Sequence, residues 1–141
     1  MLREFNYRSF AVRWLACLVL MLATYNPYSS SYYHWIAADS DHASLQVLVG
    51  LLLLIFHLVV IVATVRSIGV IGIGLVTALF SSAAWVLIDN SVVAVENTRA
   101  VVLVQLIVIA SVYGVGVSWS HIRNRLSGQV DSTDVAQLSP L

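Results

Sequence analysis

His57 stands inside an unbroken aliphatic run, where a polar side chain is costly and marks a functional hypothesis by default. An imidazole at such a depth serves as a proton relay or a haem ligand. A bis-histidine haem needs a second histidine at the same level, and His121 falls at the end of a different apolar run, so two chains would each have to supply a His57. The plainer reading is a neutral imidazole hydrogen-bonded to a Ser or Thr of a neighbouring helix. His34, Asp39, Asp41 and His42 carry ligand atoms suited to zinc or a harder divalent ion, but their spacing matches no closed motif. Asp39 and Asp41 read more simply as residues at the start of the next helix, offsetting its orphan N–H groups and its dipole. Asp89, Glu96 and Arg99 surround another turn, where a carboxylate could receive a cation. The simpler expectation is that Asp89 pairs with Arg99 or with water, a surface pair worth about 0–1 kcal/mol. No nucleophile has a base in register, no glycine-rich loop joins a strand to a helix, and no carboxylates pair. We therefore assign no catalytic residue, cofactor or metal site and expect no enzyme.

The elements that hold these residues follow from composition. The chain has 141 residues, 60% hydrophobic and 10% charged, against about 45–50% and about 25% in a soluble domain. A soluble globular fold is excluded. Seven basic residues, all arginine, balance seven acidic ones, so there is no basic field to hold nucleic acid. The single Cys17 can form neither an internal disulfide nor a thiolate cluster.

A hydrocarbon layer about 30 Å thick takes about 20 apolar residues in a helix. Runs of that kind extend over about Ser9 to Tyr25, Leu45 to Val65, Ile68 to Ile88 and Ala100 to Trp119. The first follows Arg3, Arg8 and Arg13 as a signal peptide would, but Ala23-Thr24-Tyr25 lacks a small-x-small cleavage pattern, and we read it as a retained helix. The expected fold is all-α, a four-transmembrane-helix bundle running up-down-up-down over residues 1–125, with a short disordered cytoplasmic tail at 126–141. With the N-terminus in the cytoplasm, Arg3, Arg8, Arg13, Arg66, Arg123 and Arg125 fall inside and only Arg99 outside. Both termini are then cytoplasmic, and the short loops suit a bacterial inner membrane. Arg66 and Ser67 leave almost no loop, which places the second and third helices side by side. Between Asn26 and Ser44, Tyr28, Tyr32, Tyr33 and Trp35 have apolar bodies and polar tips and are expected at headgroup level; Arg13 is expected to snorkel to the opposite boundary.

Helical periodicity sorts the polar residues onto faces. Gln46, Gly50, His57 and Thr64 share one face of the second span, opposite Leu51, Ile55, Leu58, Val59 and Val62. Gly74, Thr77, Ala78, Ser81, Ser82, Trp85 and Asp89 share one face of the third. Lipid gives helices no hydrophobic drive to associate, so small residues and interhelical hydrogen bonds must supply it. Gly74, Ala78 and Ser82, together with Ala110, Gly114 and Ser118, recur at spacing four and form the expected helix-packing interface, within the bundle or between copies. His57, Thr77, Ser81 and Asp89 define a candidate polar path.

The run Thr24-Tyr25-Asn26-Pro27, followed by Ser31-Tyr32-Tyr33-His34-Trp35 after a first apolar helix, resembles a family of small uncharacterised bacterial four-span inner-membrane proteins. That family places a small, glycine-containing turn where Tyr28 and Ser29 stand. The resemblance implies no activity. Our expectation is a non-enzymatic structural or accessory subunit, with membrane lipid and either further copies or another membrane protein as partners. The alternative is a small channel or transporter along the polar path.

Overall fold

In hydrocarbon every backbone N–H and C=O must find its partner within the chain, which leaves the helix as the available form for these apolar runs. A computed structural model describes residues 7–38 and 41–127, the last eight of these as backbone. Those residues form four helices and no strand: α1 Tyr7–Thr24, α2 Tyr32–Ala38, α3 Ala43–Asp89 and α4 Thr98–Ser127. Three of them, α1, α3 and α4, are long and apolar enough to cross a membrane.

The second and third expected spans are joined in α3, whose 47 residues have a contour length of about 70 Å at 1.5 Å per residue. Arg66 and Ser67, expected to form the connection, are helical, and the break falls at Gly69, with φ 70° and ψ 172°. Only glycine occupies that region without strain. Residues 43–68 and 70–89 are therefore two helical halves hinged on one residue.

Helix α4 is the hub. It packs along both α1 and α3, which scarcely meet each other. Two glycines, on opposite faces of α4, permit this. A Cβ added at Gly114 would lie 2.9 Å from Trp14 Cδ1 and 3.3 Å from Trp14 Cα, and one at Gly116 would lie 2.6 Å from Thr64 Oγ1. Across the first contact, Trp14 Nε1 donates to Ser111 Oγ at 3.0 Å, and Ser111 Oγ donates to the Ile107 carbonyl at 2.7 Å. An interhelical bond of this kind contributes roughly 0.6 kcal/mol, up to about 1.7.

The distribution of exposure is the reverse of a water-soluble protein. Thr64 and Ser118 are among the most deeply buried side chains, while Leu51, Ile55, Leu58 and Val62 lie about half open. In α3 the face bearing Gln46, Gly50, His57 and Thr64 is the one turned inward.

The turns bear on two expectations. Asp41 lies two residues before Ala43, the first residue of α3. Its N-cap is His42, whose side chain makes no capping bond, and Asp39 lies outside the described residues. Asp89, Glu96 and Arg99 form no ion pair with one another. The 90–97 turn is held instead by backbone: Val92 N–H and Val93 N–H both donate to the Leu87 carbonyl, at 2.9 and 3.2 Å, and Asn97 Oδ1 accepts from Ala100 N–H at 3.2 Å as the cap of α4. Short side chains at helix ends satisfy orphan N–H groups more directly than long ones can pair across a loop. Residues 126 and 127, expected in the tail, continue α4, and 128–141 lie outside the described residues.

Candidate functional site

Two regions have chemistry left over after the fold is satisfied. The first is the second half of α3. Ile73, Val76, Phe80, Ala84 and Ile88 recur at spacings of three and four and are half-buried, so this aliphatic stripe is the one turned toward the rest of the chain. Gly74, Thr77, Ala78, Ser81, Ser82 and Asp89 are all exposed, and Trp85 among them is 74% exposed. A Cβ at Gly74 would meet nothing within 4 Å. Ser82 Oγ donates to its own helix, at the Ala78 carbonyl, 2.7 Å away. The small-residue face thus does not meet protein among the described residues. The matching stripe of α4 does: Ala110 and Ser118 are wholly buried and Gly114 lies under Trp14.

The four residues of the candidate polar path differ in exposure. Thr77, Ser81 and Asp89 share the exposed face of α3, whereas His57 is half-buried on the other side of the Gly69 break. The His57 Nδ1–H donates at 2.8 Å to the carbonyl of Leu53, in its own helix, rather than bonding to a neighbour's hydroxyl. The carbonyl four residues back has a spare lone pair within reach, so the imidazole is satisfied without a second helix. Gly116, absent from the expected packing set, was legible as the partner of Gly114 at spacing two, which puts one glycine on each side of a helix.

The second region is the aromatic turn between α1 and α3. The Tyr32 hydroxyl lies over Gly50, where any Cβ would collide with it, and donates at 2.8 Å to the Gln46 carbonyl. Glycine at position 50 is what lets α2 settle on α3. Tyr25, Tyr33 and His34 form a ring cluster: His34 stacks on Tyr25 at 5.8 Å and 23°, and Tyr33 meets both edge-on. Tyr28 and Tyr33 are exposed, while Tyr32 and Trp35 are half-buried; Arg13 is half-buried near the other end of α1. His34 Nδ1 lies 2.8 Å from Ser31 Oγ. This Ser–His pair, three residues apart across the first turn of α2, was not anticipated. Beside it an open surface cavity of about 610 Å³ is lined by Ser29, Ser30, Ser31, His34, Trp35 and the alanines at 37 and 38. Among the described residues no three His, Cys, Asp or Glu side chains gather as a metal site would require.

A family model, described as a family of unknown function, DUF6524, matches residues 8–137, nearly the whole chain and all four helices. The chain belongs to the DUF6524 family. No curated protein and no solved structure matches it. Both regions of this DUF6524 protein fall within the matched residues, so the exposed α3 face and the aromatic turn lie inside the part that the family model describes. The matched range also contains the α4 hub and both of its glycine contacts.

Proposed function

We propose that this DUF6524 protein is a four-span integral protein of a bacterial inner membrane, with both termini cytoplasmic, acting as a non-enzymatic structural or accessory subunit of a homo-oligomer or larger membrane complex. The observation that carries the reading is the bare face of α3. Gly74, Thr77, Ala78, Ser81 and Ser82 share one exposed side of an otherwise aliphatic helix. Hydroxyls and a glycine facing lipid gain nothing, whereas the same residues against a second helix permit close approach and hydrogen bonding. In a parallel two-fold pair, each of these residues would meet its own copy.

Four crossings are favoured by length. Residues 43–68 and 70–89 extend about 39 and 30 Å as helices, and each suffices for one passage. The orientation rests on the arginines, six of seven of which then face the cytoplasm. The transport reading has less support, because His57 spends its proton on Leu53 and is not joined to Thr77, Ser81 or Asp89.

The test is disulfide trapping in native membranes. With Cys17 replaced by serine, Ala78→Cys should cross-link to a species of twice the chain mass, or to a partner of fixed mass, and Leu79→Cys should do so far less. Equal trapping at both positions would remove the interface. Alkaline phosphatase fused after Leu141 should be inactive, and an active fusion would overturn the orientation or the span count.

A further inference from the structure

The aromatic turn is placed where a membrane protein meets headgroups, because α2 lies between the end of α1 and the start of α3. This placement rests on the membrane-spanning reading above, though not on which side of the membrane the turn faces. We propose that the cavity beside α2 binds the phosphodiester of a membrane phospholipid.

The cavity offers neutral hydrogen-bond donors over an apolar base. Ser29 and Ser30 are exposed, and their hydroxyls have no partner within the described chain. The Ser31–His34 pair adds one more donor whatever the tautomer. If Ser31 O–H donates to Nδ1, the imidazole carries its proton on Nε2; if Nδ1–H donates to Ser31 Oγ, the serine proton is free to turn elsewhere. A neutral Ser–His pair holds two protons and uses one internally, so the surplus proton needs an acceptor. A phosphodiester presents no donor and two acceptor oxygens that share one negative charge, which makes it complementary to a site that has donors to spare. No arginine is among the described residues that line the cavity, and a diester with a single negative charge is the phosphate form such a site accommodates at lowest cost.

The rest of the lining separates a lipid from a free anion. Ala37, Ala38 and the Trp35 ring give the cavity an apolar side along the length of α2, and its volume of about 610 Å³ far exceeds what a phosphate ion fills. A glycerol backbone with the first methylenes of its chains would cover that side. The Tyr25 ring stacks on the imidazole, so His34 is oriented before any ligand arrives.

The test uses the full chain in lipid. Wild-type protein is purified from vesicles containing phosphatidylethanolamine and phosphatidylglycerol, or diacylglycerol of the same chains, and retained lipid is counted by native mass spectrometry. The quadruple variant Ser29→Gly, Ser30→Ala, Ser31→Ala and His34→Phe removes the donors while keeping the ring stack and easing the backbone at position 29. Wild type should retain phospholipid and not diacylglycerol, and the variant should lose phospholipid retention by about tenfold or more, with unchanged helicity and oligomer mass. Unchanged retention in the variant, or equal retention of diacylglycerol by wild type, would overturn the proposal, and displacement of the lipid by inorganic phosphate would assign the site to a free anion instead. Failure to float with vesicles of any composition would instead count against the membrane reading, and a changed oligomer mass at constant lipid would concern only the α3 face.

Discussion

Replacing Gly116 and Gly74 by alanine, one at a time, separates packing inside the chain from packing outside it. Both are helical glycines, so each substitution gains the same backbone term, about 0.8–1.0 kcal/mol in helix propensity. Their surroundings differ. The new Cβ at Gly116 would lie 2.6 Å from Thr64 Oγ1 and 2.8 Å from Thr64 Cβ, with Thr64 only 2% exposed. A β-branched side chain in a helix has little rotamer freedom with which to yield, so α3 and α4 must separate. Overpacking of this kind costs roughly 1–3 kcal/mol, which leaves Gly116→Ala between neutral and about 2 kcal/mol destabilising. At Gly74 nothing lies within 4 Å, and the propensity gain stands alone. The two variants should therefore differ by about 1–3 kcal/mol in reversible unfolding in mixed micelles, followed by circular dichroism at a dilution where the chain is monomeric. Adding Thr64→Ala to Gly116→Ala should recover part of the loss, and a double-mutant cycle measures the coupling. If Gly116→Ala proves as stable as Gly74→Ala, the glycine contact does not set the distance between α3 and α4, and the hub arrangement fails with it.

Three further outcomes follow. Gly69→Ala places a side chain in a backbone region open almost only to glycine, and should cost about 1–3 kcal/mol in the same unfolding assay although it touches nothing. Trp14→Phe keeps a ring over Gly114 but deletes the donor to Ser111, and should cost about 0.6–1.7 kcal/mol, with a matching Ser111→Ala that adds little in the double variant. Ser29, at φ 69°, holds a left-handed conformation, so Ser29→Gly should raise stability by roughly 1 kcal/mol, read as a higher midpoint; a lower one would show that the hydroxyl has a partner in the fold.

How far the sequence foretold this molecule depends on the kind of signal. Apolar length placed long helices over the stretches that α1, α3 and α4 occupy, with two expected runs falling in the single α3, because lipid penalises polar backbone more strongly than any local preference. The faces of α3's first half were readable because Gln46, His57 and Thr64 stand out against aliphatic neighbours. The break was placed two residues early. Arg66 and Ser67 looked like a loop by polarity, whereas the chain bends where φ can be positive, and an arginine in a last turn followed by Gly69 was the available C-terminal signal. Similarly, Tyr28 and Ser29 had been marked as the site of a small turn, and Ser29 adopts the backbone that glycine favours there. The Ser31–His34 pair escaped because i,i+3 contacts in a seven-residue helix are invisible until the helix itself is known. The side of α3's second half that packs was also beyond reach: periodicity separates two faces but does not say which one meets the rest of the same chain.

The position of α4 as hub bears on the order in which the chain can be assembled. The helix that α1 and α3 share leaves the ribosome after both of them, and those two earlier helices make little contact of their own. A nascent chain stopped before Thr98 would hold its first helices in the bilayer without the two glycine contacts that join them. Insertion and association are thus separate stages, and association waits for α4 to emerge. Released early, such a chain would offer the undocked surfaces of Trp14 and Thr64 to other helices or to membrane quality control, so truncations upstream of α4 should be degraded faster than single substitutions within it.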